Sequence, residues 1–125
     1  HWIAGIGGAA QPVAEYIQHA ALFFLQCLNA NAPMVCVENP RQHSYAMELI
    51  GIEHDQEIQP YQFGHEYRKA TWLWLHGLPQ LTSTSVIEPI ANWVNSGKTG
   101  GVAHTPNLRA KTFQGIADAM ASQWG

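Results

Sequence analysis

Charge is scarce in this sequence of 125 residues. Only 12% are Asp, Glu, Lys or Arg, while 46% are hydrophobic. A protein that covers its whole surface with polar groups usually carries about twice that charge. Such a balance implies either an unusually well-buried fold or apolar surface that meets a partner. The charge that is present sums to −3, which excludes a global attraction to nucleic acid and leaves any such contact to a local basic cluster. Cysteine is nearly absent. Cys27 and Cys36 form no CxxC and sit among apolar residues, so they read as reduced, buried thiols of a cytoplasmic protein rather than a disulfide or a metal site. The seven histidines show no metal-ligand spacing, and no metal site is expected. No run is long and apolar enough to cross a membrane, and no basic-then-apolar leader is present. The first residue is His1 and not a methionine, as in a sequence that begins inside a longer reading frame or behind a cleaved tag. There are no internal repeats.

What is there reads as one small α/β domain, 1–125, long enough for a real core but short for an enzyme with both a cofactor and a substrate site. Residues 1–11 read as a glycine-rich arm, 12–77 as the α/β core, 78–108 as irregular loops and 109–125 as a closing helix. Ala14, Ile17, Ala21, Phe24, Leu25 and Leu28 recur at helical steps between Pro12 and Asn29. Met34 to Val37 is a short apolar run after a turn, which predicts a buried parallel strand. It ends at the polar triplet Glu38-Asn39-Pro40, where the carboxyl end of a strand would bind a ligand in an open α/β sheet. Ser44 to Ile50 predicts a short helix capped by Ser44 and stopped by Gly51. Ile58 to Phe63 and Thr71 to Leu75 read as strands around a polar loop, His65 to Lys69. One helical turn is expected near Ile90 to Val94. Thr112 to Trp124 predicts an amphipathic helix with Phe113, Ile116, Ala117, Met120 and Ala121 on one face. Two to four strands with helices fit part of a doubly wound sheet better than a complete one.

Ser96-Gly97-Lys98-Thr99 resembles the end of a phosphate-binding loop, but Asn92 stands where its first glycine is required, and a surface turn is the better reading.

The run FFLQCLNANAPMVCVENP from Phe23, the block QPYQFGHEYRKATWLWLHGLPQL ending at Leu81, and the ending RAKTFQGIADAMASQWG from Arg109 form a recognisable order. They are similar to the C-terminal portion of phage and bacterial DNA cytosine methyltransferase-like proteins, and together they span most of the chain after residue 20. The resemblance implies a partial Rossmann-like, methyltransferase-type sheet with flanking helices, whose first strands and cofactor site lie upstream. It implies that Glu38 hydrogen-bonds ring nitrogen 3 and the amino group of an extruded cytosine, with Asn39 orienting that carboxylate. It implies phosphate or base contacts for Lys69 and Arg68. Read without the resemblance, Glu38 caps a turn or pairs with Arg41, and Arg68 and Lys69 sit at a solvated hairpin tip. Arg41, Arg68, Lys69, Arg109 and Lys111 would form a basic, DNA-binding patch if the fold brings them to one rim.

The departures weigh as much as the match. The family's nucleophile is a cysteine that follows a proline, and neither Cys27 nor Cys36 does. A half-domain that is inactive alone is therefore expected, binding DNA or complementing a partner chain, self-associating through its unfinished sheet, and needing no cofactor of its own. Two alternatives stand beside it. One is a small complete S-adenosylmethionine-binding methyltransferase using Gly5, Gly7 and Gly8, since GxGxxA precedes a helix there. In that reading, however, only His1 to Ala4 remain for the strand, and Glu38 comes later than the usual ~20 residues. The other is a non-enzymatic assembly or adaptor protein on the same scaffold.

Overall fold

In the computed structural model, residues 7–40, 44–94 and 100–125 are described, with side chains in 18–39, 47–94 and 100–125. Arg41, Gly5 and the segment Ser96 to Thr99 lie outside these residues. The chain is a mixed α/β protein. Its elements in order are α1 (Gly7–Leu28), β1 (Val35–Pro40), α2 (Ser44–Ile50), β2 (Gln56–Ile58), a 3-10 turn (Pro60–Gln62), β3 (Tyr67–Arg68), β4 (Thr71–His76), β5 (Ala91–Asn92), α3 (Pro106–Arg109) and α4 (Gln114–Trp124).

The main sheet has the order β1-β4-β2, and β4 is antiparallel to both neighbours. β1 and β2 therefore run in the same direction, joined through α2, with β4 inserted between them. The expected parallel pairing of Met34 to Val37 is thus corrected, because the neighbour of β1 is the later, antiparallel β4. Glu38 to Pro40 do not lie past the strand's end; they pair with Leu73, Trp72 and Thr71.

β4 is TWLWLH, and its alternation assigns each side chain to one of two cores. Leu73, fully buried, joins Ile58, Phe63, Leu81, Trp93, Phe113 and Ile116, with Cys36 and Leu75 packed against them. Trp74, also fully buried, joins Ala21, Phe24 and Ile50, with Val37 and Trp72 at its margin. The sheet is thus covered by α1 and α2 on one face and by α4 and its adjoining loops on the other. Trp74 meets Phe24 edge-on at 4.6 Å between ring centroids and donates its indole N–H to the Ile52 carbonyl at 2.9 Å, so its polar atom is satisfied inside the core.

Further expectations change. Ile58 to Phe63 is not one strand: Pro60 cannot donate to a ladder, and the chain turns there into 3-10 geometry, capped reciprocally by Gln59 and Gln62. The loop His65 to Lys69 contains β3, which pairs in parallel with β5, so Ile90 to Val94 holds a two-residue strand, Ala91–Asn92, and not a helical turn. On α4 the buried face is Phe113, Ile116 and Ala119, with Met120 partly buried; Ala117 and Ala121 are exposed. The closing region is also broken, since α3 ends at Arg109 before α4 begins. At the other end α1 starts at Gly7, taking in residues 7–11 that read as an arm, because Ala9 and Ala10 are strong helix formers.

The two edges of the sheet are treated differently. Along β2, the Gln56 side chain accepts from the Leu81 N–H and donates to the Leu81 carbonyl, both at 2.7 Å, and Gln80 donates to the Asp55 carbonyl. These bonds tie the β2 edge to the segment around Leu81. β1 is the opposite edge strand.

Candidate functional site

A cleft of about 190 Å³ opens between the sheet and the segment that leads into α4. β1 supplies Cys36 and Glu38, which alternation places on the same face. The turn into β4 supplies Lys69 and Thr71, and the approach to α4 supplies Lys111 and Thr112. Ile58, Phe113, Ile116 and Met120 give it an apolar floor.

Lys69 is held firmly. Its backbone N–H donates to the Gln59 side chain at 2.8 Å, its carbonyl accepts from the Thr71 hydroxyl at 2.9 Å, and its Nζ donates to the Arg109 carbonyl at 2.6 Å. Burial lowers the proton affinity of this amine, and the charge of Glu38 opposes that shift. The same two influences act on Cys36. Burial first, and then the nearby Glu38 carboxylate, push its thiol up to about 11. A thiol so raised is a poor nucleophile near neutral pH, in keeping with a structural side chain. Both cysteines are free.

The structure brings together Glu38 and Lys69, which the resemblance pairs functionally, and adds Cys36 and Lys111. Of the other candidates among the described residues, it brings in none of the following. Asn39 sits in register with Trp72 and so on the opposite face of β1. Arg68 is exposed on β3, alternating with Tyr67, whose ring packs on Trp93 at 4.9 Å. Arg109 contributes its carbonyl to Lys69 and is itself exposed. Gly7 and Gly8 form the start of α1. Cys36 was within reach of sequence reasoning, because period-two alternation through VCVENP places it beside Glu38. Phe113 and Thr112 carried no such signal, since their place depends on where α4 docks.

Among the described residues no group of three or more His, Cys, Asp or Glu could hold a metal ion, and no described helix is long and apolar enough to cross a membrane. Chemically, the cleft can present a carboxylate acceptor and ammonium donors above an apolar surface. It thus suits a flat polar ligand better than an aliphatic one. No family model, curated protein or solved structure matches the chain.

Proposed function

We propose that this chain is a methyltransferase-like half-domain that holds an extruded cytosine of DNA in the Glu38 cleft and does not transfer a methyl group by itself. The observation that carries the reading is the shared cleft of Glu38 and Lys69. The resemblance assigns base recognition to the first and base or phosphate contact to the second, and they come from separate elements, β1 and the turn into β4. The carboxylate accepts from the cytosine amino group, and the apolar floor stacks against the ring. Cys36, the thiol nearest the cleft, lies within a strand and is kept protonated by burial and by Glu38, so it does not serve as the nucleophile.

The sheet supports a place within a larger Rossmann-like domain. Two codirectional strands joined by a helix are the unit of such sheets, and an antiparallel strand near one edge is common in them. Here the antiparallel strand, β4, is inserted between the two codirectional strands, and Gln56 ties the β2 edge to Leu81. The edge of β1 is then the side on which further strands, from a partner chain or a second copy, complete the sheet. Leu22 and Phe23 on α1, exposed by 59% and 68%, and Met34, by 54%, are apolar surface of the kind such an association covers. The setting is a cytoplasmic one, where DNA is met and thiols stay reduced.

The test is binding of short single-stranded oligonucleotides that differ at one position, cytosine or thymine. The expected preference for cytosine is about tenfold, the worth of one well-placed hydrogen-bonded pair, and Glu38→Ala, which removes the acceptor, should erase it. Equal affinity of the wild-type chain for both oligonucleotides would overturn the reading.

A further inference from the structure

Lys111 has no role in the reading above, yet it lines the same cleft as Lys69. The Lys69 Nζ is bonded to the carbonyl of Arg109, two positions earlier in the chain. That bond fixes an ammonium beside the segment that carries Lys111. Lys111 is itself held in a turn, its N–H donating to the Leu108 carbonyl at 3.2 Å. The whole chain carries six Lys and Arg against nine Asp and Glu. In the cleft the balance is reversed, with two lysines facing one carboxylate. A local excess of cations in an acidic protein concentrates anions at that point alone.

We propose that Lys69 and Lys111 form a phosphate-binding edge of the Glu38 cleft, which therefore takes a phosphorylated single-ring nucleotide: a ring on the apolar floor, an exocyclic donor at Glu38, and a phosphate between the two ammonium groups. The shape agrees. A cleft of about 190 Å³ is smaller than the roughly 300 Å³ at which drug-sized sites begin, so it fits a small ring and leaves a sugar and phosphate at its open edge. Lysine suits this place because it is a compact charge that contacts phosphate without demanding bidentate geometry. The phosphate can be a monoester or the diester of a DNA strand, since both present the same anionic oxygens. The proposal rests on the base-holding reading for its ring, but not for its anion.

The experiment is a calorimetric titration of the full chain with deoxycytidine, deoxycytidine 5′-monophosphate, the dinucleotide d(CpT) and inorganic phosphate, repeated with Lys111→Gln. Lys111 is exposed, so this variant should fold normally. The phosphate-bearing ligands should bind at least tenfold more tightly than deoxycytidine, and Lys111→Gln should remove that increment while leaving deoxycytidine unchanged. A gain with the monophosphate alone identifies a monoester site, and a gain with the dinucleotide identifies a strand phosphate; both sustain the proposal. If deoxycytidine binds and phosphate adds nothing, the phosphate edge is overturned and the base reading stands. If inorganic phosphate binds and depends on Lys111 while deoxycytidine does not bind, the edge stands and the base reading falls. If no ligand binds, the proposal is overturned.

Discussion

His65 caps α4 from a distance: its Nε2 accepts the backbone N–H of Gly115 at 2.9 Å across 50 residues of chain. The N-cap residue of α4 is Phe113, whose side chain cannot accept a hydrogen bond, so one of the orphan donors at the helix start is satisfied from another element. The ring also lies 5.0 Å from Phe113. Because Nε2 accepts, the proton of the neutral ring sits on Nδ1. His65→Ala should cost about 1–2 kcal/mol, read as a lower midpoint in urea. Gly115→Ala should cost more, since its Cβ would stand 2.2 Å from the Phe63 carbonyl oxygen. A His65→Ala variant of wild-type stability would remove His65 as the cap.

Trp74 gives the largest expected loss. It is fully buried, packs on Phe24 and bonds the Ile52 carbonyl. Trp74→Ala should destabilise by about 3–5 kcal/mol. Trp74→Phe keeps most of the ring but strands the Ile52 carbonyl, for about 1–3 kcal/mol. Equilibrium unfolding followed by fluorescence of the remaining tryptophans orders the three proteins.

Gly51 and Gly77 have nearly the same backbone angle, φ +70 and +68, in different surroundings. An added Cβ at Gly51 finds its nearest atom at 4.0 Å, while one at Gly77 would stand 2.2 Å from the Pro33 carbonyl oxygen. Gly51→Ala should therefore cost only the left-handed strain, about 1–2 kcal/mol. Gly77→Ala should cost distinctly more, because the Pro33–Met34 backbone must also move. Comparable midpoints for the two variants would show that the β4 end yields freely.

The Cys36 thiol, pushed up to about 11 from its ordinary 9.0, makes a signed prediction. Between pH 9 and 11 the unfolded chain loses this proton while the folded chain keeps it. The contribution of Cys36 is thus fully present below pH 9 and is lost as pH rises towards 11. The stability difference between wild type and Cys36→Ala should shrink over that window. In a Cys27→Ser background, Glu38→Gln removes one cause of the shift, so alkylation of Cys36 at alkaline pH should become faster. An unchanged rate would separate Glu38 electrically from the thiol.

α1 was legible because its apolar residues recur at helical steps, among them the core positions Ala21 and Phe24, and α2 because the sequence offers Ser44 as its cap and Gly51 as its stop. The four-residue α3 begins in the stretch read as irregular loops. Strand direction was not legible. VCVENP is equally apolar beside a parallel or an antiparallel neighbour, and its partner, TWLWLH, arrives only after α2 and β2. The two-residue strands β3 and β5 were invisible for a related reason, since Tyr67-Arg68 and Ala91-Asn92 are too short to show a period and exist only through their pairing. At the cleft, Glu38 and Lys69 were singled out by the family resemblance and not by the residue pattern, whereas the contribution of α4 came from Phe113 and Ile116 docking on Leu73 and Ile58.

The central position of β4 also dictates an order of events during synthesis. β1 and β2 share no ladder with each other, and each meets only β4. A nascent chain that has released everything up to the 3-10 turn therefore has helices but no sheet to dock them on, and Phe24 and Ile50 still await Trp74. Emergence of a single six-residue stretch, Thr71–His76, then supplies the pairing partner for two waiting strands and the wall of two cores together. Deleting or inserting one residue in that stretch would exchange its tryptophan and leucine faces, sending each set into the wrong core.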